Sequence, residues 1–154
     1  MCGYIYSYSD HKKQDLKRFR TALDKINWRG PDSQRCFESN NHFFGHNRLE
    51  IIFDIKNENN QPFKINDSEI LLFNGEIYNH IELRKKYRLN CTSKSDTETL
   101  AKLYKKIGVA MFHELDGMFA ITIVNVHTNS WIASRDFAGI KPLYYYNTSG
   151  QIII

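Results

Sequence analysis

The chain has 154 residues, 21 basic against 17 acidic side chains and a net charge of +4, with 42% hydrophobic and 25% charged residues. That length suits one domain able to bury a real core, and the balance is that of an ordinary globular protein, excluding disordered and fibrous classes. The short basic runs His11-Lys12-Lys13 and Arg84-Lys85-Lys86-Tyr87-Arg88 read as solvated helix faces, so no nucleic-acid partner is expected.

Gly3 to Ser9 mixes small residues with Tyr and Ile and predicts a strand. Asp10 is placed to cap a helix over 13–27, in which Leu16, Phe19, Leu23 and Ile26 recur at helical spacing. Arg29-Gly30-Pro31-Asp32 breaks that helix with a turn. Short strands are expected at Arg35–Glu38, His42–His46 and Leu49–Phe53, then a polar loop from Lys56 to Pro62. Glu69 to Phe73 is a strand ending in Asn74-Gly75, a turn signal. A short helix follows over Ile81–Tyr87. Ser95-Asp96-Thr97-Glu98 has the form of a capping box and opens a helix reaching about Ile107. Val109–Leu115 is a second short helix. Strands return at Phe119–Val126, Ser130–Ser134, Leu143–Tyr146 and Gln151–Ile154. Strands at both ends with helices between predict an α+β fold of mainly antiparallel sheet. The apolar strand-like ending is expected of a domain cut from a longer polypeptide.

Three cysteines with no CxxC pair speak against a disulfide framework or zinc ribbon and fit a reducing cytoplasm. The opening Met-Cys-Gly-Tyr-Ile-Tyr is no signal peptide, and no apolar run approaches membrane-spanning length. A cytoplasmic location without membrane association is expected. The histidines, His46 included, show no ligand spacing, so no metal is expected.

Cys2 follows the initiator directly. Removal of Met1 would leave a thiol and a free α-amine on one residue, and an α-amine titrates at about 8. Such a residue carries a nucleophile and its base together; with Met1 retained, the amine is blocked. Acyl transfer also needs donors aimed at an oxyanion. Asn74-Gly75 offers a side-chain NH2 and a backbone N–H, although taken alone an Asn-Gly pair is more simply a turn. Arg48 suits a two-toothed pairing with the carboxylate of an amino acid. Asp96 suits its ammonium, although an acid in a first helical turn is favoured by the helix dipole in any case.

These residues occur together with longer motifs. They are Met1-Cys2-Gly3, Arg29-Gly30-Pro31-Asp32, His46-Asn47-Arg48-Leu49-Glu50-Ile51 and Asn60-Gln61-Pro62. Asn74-Gly75-Glu76-Ile77-Tyr78-Asn79, Ser95-Asp96-Thr97-Glu98 and Leu115-Asp116-Gly117-Met118-Phe119-Ala120 follow. The series closes with Arg135-Asp136 and Gly139-Ile140-Lys141-Pro142-Leu143-Tyr144-Tyr145. In this order and over essentially the whole chain, the sequence resembles the class II glutamine amidotransferase domain, in its asparagine synthetase branch. The glucosamine-6-phosphate synthase type, with R-G-Y-D-S and N-G-I-I-E-N patterns, fits less well.

The resemblance implies a four-layer αββα sandwich of the N-terminal-nucleophile hydrolases. It implies Cys2 as nucleophile with its own amine as base, and Asn74 and the Gly75 N–H as the oxyanion hole. Arg48 would hold the glutamine carboxylate. Asp96, with Glu76 and Gly75, would hold the ammonium, and the backbone of Leu49 to Ile52, including Ile51, would line the substrate. The implied reaction is hydrolysis of L-glutamine to glutamate and ammonia through a Cys2 thioester, feeding an asparagine synthetase-like amidation. No phosphate loop of the G-x-x-x-x-G-K or S-G-G-x-D-S kind is present. No cofactor is therefore expected in this domain, and ATP and Mg only in a separate synthetase domain. The alternative is a catalytically silent domain that binds glutamine. Two positions depart from the family pattern: Trp28 stands where His usually precedes Arg-Gly-Pro-Asp, and Glu50 where Ser or Thr commonly follows Arg-Leu. Both are expected to lie outside the groups assigned to chemistry. Cys36 and Cys91 match no catalytic position and read as structural.

Overall fold

Tyr4, Tyr6 and Tyr8 fall on one face of Gly3–Ser9 (β1), as strand periodicity requires. A computed structural model describes residues 2–10, 15–50 and 60–154. In it β1 pairs antiparallel with His42–Arg48 (β3), in register from Gly3 opposite Asn47 to Tyr8 opposite His42. Ser33–Ser39 (β2) pairs on the other side of β3. Phe63–Lys64 (β4), Glu69–Ile77 (β5), Gly117–Asn125 (β6) and Ser130–Arg135 (β7) form a second antiparallel sheet in that order. Tyr146–Thr148 (β8) and Gln151–Ile153 (β9) return to the first sheet, whose order is β2-β3-β1-β9-β8.

Between the sheets lie Tyr6, Phe44, Ile70, Leu72, Val124 and Ile152, all buried. The opposite face of the second sheet carries Leu71, Phe73, Ile121 and Ile123. These pack on Leu83 of His80–Lys86 (α2) and on Leu100 and Leu103 of Asp96–Ile107 (α3). Leu16–Asp24 (α1) covers the outer face of the first sheet. Gly45 of β3 is what lets it approach, since a Cβ there would stand 2.8 Å from Leu23 Cδ2. The layers are helix, sheet, sheet, helices, the α+β four-layer arrangement expected from the sequence. No helix among the described residues is long and apolar enough to cross a membrane.

The elements differ from the expectation in instructive places. Asp15, not Asp10, caps α1, its Oδ1 accepting from Lys17 N at 2.8 Å. The C-terminal end of that expected helix is instead a 3-10 turn at Asn27–Arg29, and Val109–Leu115 is replaced by a 3-10 helix over Gly108–His113. The Asn74-Gly75 pair is no turn: β5 runs straight through it to Ile77, in register with Ala120 and Phe119 of β6. Leu143–Tyr146 is not a strand, and β8 begins only at Tyr146. The capping box is half made. Ser95 Oγ accepts from Thr97 N at 3.1 Å, but Ser95 N donates to Ser93 Oγ, leaving Glu98 to bind the loop before the helix. Of the expected strand at Leu49–Phe53, Leu49 and Glu50 have no strand structure and the remainder lies outside the described residues.

Candidate active site

Strand alternation decides which side chains meet. On β3, Phe44 faces the second sheet, so Arg48 shares that face. On β5, Ile70 and Leu72 face the first sheet, and Asn74 and Glu76 continue the row. Cys2 extends the Tyr4–Tyr6 row of β1 by one step. Residues from three strands are thus directed to one end of the space between the sheets.

At the end of β1 and β3, Leu49 N–H donates to Cys2 Sγ at 3.4 Å, and Leu49 O lies 3.8 Å from the same sulfur. Arg29 Nε holds the Cys2 carbonyl at 3.2 Å. Arg48, one residue before Leu49, directs Nη1 to Asn60 Oδ1 at 3.2 Å and Nη2 to Glu50 Oε1 at 3.3 Å. Glu50 therefore does not lie apart from the groups assigned to chemistry, as the sequence suggests, but directly on one of them. Ile51 and Ile52 lie outside the described residues.

The second group runs along the end of β5. Asn74 is buried at 6% exposure. Gly75 is required there by close approach, since a Cβ would stand 2.1 Å from Met118 O of β6. Asp96 reaches from the first turn of α3, Oδ2 accepting from Ile77 N at 3.1 Å. Burial, reinforced by the charge of Glu76, raises its carboxyl to about 6, although the N–H groups of Ile77 and Thr97 work against the rise. The two groups are joined through the packing of β1 on β5, across which Gly3 and Asn74 line one cavity of about 510 Å³.

That cavity is apolar and is otherwise walled by side chains such as Trp28, Ile26, Tyr144 and Ile154. Trp28 is exposed on its rim, with the Arg29 guanidinium 5.4 Å from its ring centre. Asp136 sets the opposite wall: its carboxylate accepts from Phe119 N, Ile140 N and Lys141 N at 3.1, 2.8 and 3.0 Å. Those bonds turn the chain toward Pro142 and Tyr144. Sequence reasoning missed two further residues. Gln61 brackets Phe73, next to Asn74, with Nε2 to Phe73 O at 2.9 Å and Phe73 N to Oε1 at 2.5 Å. His46 is buried beside them and hydrogen-bonds the Phe73 backbone; burial, with the Arg48 charge adding, lowers its ring to about 4, neutral at pH 7. Only the presence of both in quoted motifs signalled them. Among the described residues no group of His, Cys, Asp and Glu is arranged to hold a metal ion.

A family model described as a glutamine amidotransferase domain matches residues 1–154. The chain belongs to that family. It is a class II, N-terminal-nucleophile-type glutamine amidotransferase domain related to asparagine synthetases. It is 34% identical to the putative asparagine synthetase [glutamine-hydrolyzing] 2 of Methanocaldococcus jannaschii, over 99% of this chain and 33% of that protein. It is 36% identical to asparagine synthetase [glutamine-hydrolyzing] 1 of Bacillus subtilis, over 99% of this chain and 25% of that one. With asparagine synthetase B [glutamine-hydrolyzing] of Escherichia coli it shares 34%, over 100% and 28% respectively. This amidotransferase domain thus spans only about a quarter to a third of those relatives. Its fold matches the glutamine phosphoribosylpyrophosphate amidotransferase of B. subtilis, complexed with ADP and GMP. The TM-score is 0.73 at 17% identity, covering 97% of this chain and 40% of that one.

Proposed function

We propose that this domain hydrolyses L-glutamine to glutamate and ammonia, with the thiol of Cys2 as nucleophile. The family match and the glutamine-hydrolysing relatives support the reaction class. The observation that carries the assignment is the junction of β1 and β3, where the Leu49 N–H meets Cys2 Sγ at 3.4 Å one step beyond the Gly3–Asn47 pair, with Arg48 the residue directly before Leu49. Such a junction sets a nucleophile next to a fixed cation for the substrate carboxylate.

Glutamine enters with its α-carboxylate on Arg48 and its ammonium toward Asp96, helped by Glu76 and Gly75. The backbone of Leu49 lines its stem. The Cys2 α-amine, freed by loss of Met1, takes the thiol proton, and Sγ attacks the side-chain carboxamide carbon. Asn74 and the Gly75 N–H stabilise the oxyanion. The protonated amine returns its proton to the leaving nitrogen, ammonia departs, and a γ-glutamyl thioester remains on Sγ. Water hydrolyses it to glutamate and restores the thiol.

Ammonia then passes to a synthetase domain, as the relatives' names suggest; ATP and Mg would belong to that domain, and the apolar cavity lined by Asn74 is the face we assign to it. The reducing cytoplasm keeps the thiol available. Intact mass tests the assignment, with and without the glutamine-analogue electrophile 6-diazo-5-oxo-norleucine. The expected result is loss of Met1 and a single adduct on Cys2. A processed, folded chain that forms no adduct would overturn it in favour of a domain that binds glutamine without turnover.

A further inference from the structure

We propose that Glu50 is a tethered competitor for the substrate α-carboxylate, setting both the affinity for glutamine and the selectivity for a charged over an uncharged α-group; this rests on the glutamine-hydrolysing reading above. Glu50 follows Arg48 by two residues and turns its carboxylate back onto Nη2 at 3.3 Å. The side chains of the pair are 13% and 27% exposed, Arg48 the more buried, and the other terminal nitrogen of the guanidinium, Nη1, is bound by Asn60 Oδ1 at 3.2 Å. The Glu50 main chain is itself held, its N–H donating to Asp32 Oδ2 at 2.6 Å. The carboxylate is therefore tethered within reach of Arg48.

An incoming amino acid brings the same chemical group to the same cation. To form a two-toothed pair with Arg48, its carboxylate must displace Glu50 or share the guanidinium with it, and two carboxylates on one guanidinium repel each other. Binding is weakened by the strength of the internal pair. Glu50 also cancels the charge of Arg48, so the site favours a carboxylate over a neutral carboxamide less than a lone guanidinium would. A side chain that only supported the local fold would weaken every ligand alike.

Calorimetric titration of the Cys2→Ala chain, which binds without turnover, with L-glutamine and with its α-carboxamide tests this. In that background Glu50→Gln is expected to tighten glutamine two- to five-fold, about 0.4–1 kcal/mol, and to leave the α-carboxamide within experimental scatter. Glu50→Ser is expected to shift the ratio of the two affinities in the same direction. That ratio is independent of the folded fraction, so partial misfolding of either variant does not imitate the effect. A ratio that stays constant, or moves toward the carboxamide, overturns the competitor role while leaving glutamine hydrolysis standing. A parent chain that binds neither ligand, with no adduct on Cys2 in the unsubstituted protein, overturns both.

Discussion

Gln61 and Phe73 exchange a pair of hydrogen bonds, side chain to backbone, in the way two strands exchange theirs. One amide side chain thus satisfies both polar backbone groups of the residue before Asn74. Gln61→Ala would leave the buried Phe73 N–H unpaired, at roughly 1–3 kcal/mol, while the Phe73 C=O keeps His46 as a partner. Urea denaturation is expected to show a loss of about 1–3 kcal/mol. A loss below about 0.5 kcal/mol would mean that water replaces the side chain and that β5 does not depend on it.

The assigned chemistry separates by kinetics. Cys2→Ala is expected to remove glutaminase activity. Asn74→Ala is expected to lower kcat by about two to three orders of magnitude, the usual worth of one oxyanion donor. Arg48→Ala is expected to raise KM with the smaller effect on kcat. Steady-state ammonia release reads all three. Full activity in Cys2→Ala would refute the mechanism outright.

Asp96 carries a cost that its proposed role explains. Its folded pKa of about 6 lies above the ordinary carboxylate range, so the folded chain holds that proton more tightly than the unfolded chain. The contribution of this group to stability is whole below about pH 4 and is lost as pH rises through 6. Asp96→Asn is therefore expected to raise the melting temperature at pH 7.5 while weakening glutamine binding. Pairing with an ammonium also favours the ionised form, so glutamine binding near pH 6 should release a fraction of a proton. Calorimetry in buffers of different ionisation enthalpy measures that release, and none at all would remove Asp96 from the ammonium site.

Glu98 has the opposite sign. Burial disfavours its charge, but hydrogen bonds from Thr92 and Ser93, with Lys102 adding, prevail and hold its pKa at about 2. The stability it contributes is present above about pH 4.5 and lost as pH falls toward 2. Glu98→Gln is expected to cost roughly 2–3 kcal/mol at pH 7 and much less near pH 2. A cost equal at both pH values would show that packing, not charge, holds the Thr92–Ser95 loop.

Much of this was legible in the sequence, because β1, β6, β7 and α3 are strongly patterned and show their boundaries to within about two residues, as β5 does at its start. Asn74-Gly75 was not: local preference reads it as a turn, and only pairing with β6, which leaves no room for a Cβ, keeps it extended. The two-residue β4 is too short to have a period. In the candidate site, motif order drew attention to Cys2, Arg48 and Asn74. The contact of Glu50 with Arg48 and the bracket of Gln61 on Phe73 depend on where a side chain turns, which residue type does not encode.

Strand order gives the site one further property. β1 sits third of five strands, with β3 on one side and β9 on the other. The strand that leads away from Cys2 is therefore held in the interior of a sheet from Tyr6 to Tyr8, where β3 and β9 bond it on both sides, and amides there become accessible only when most of the domain opens. Amide hydrogens of Tyr6 and Tyr8 should exchange among the slowest in the protein, far slower than those of β8 at the sheet margin. Fluctuations at the margin can then come and go without displacing the thiol, and loss of its position should coincide with loss of the fold itself.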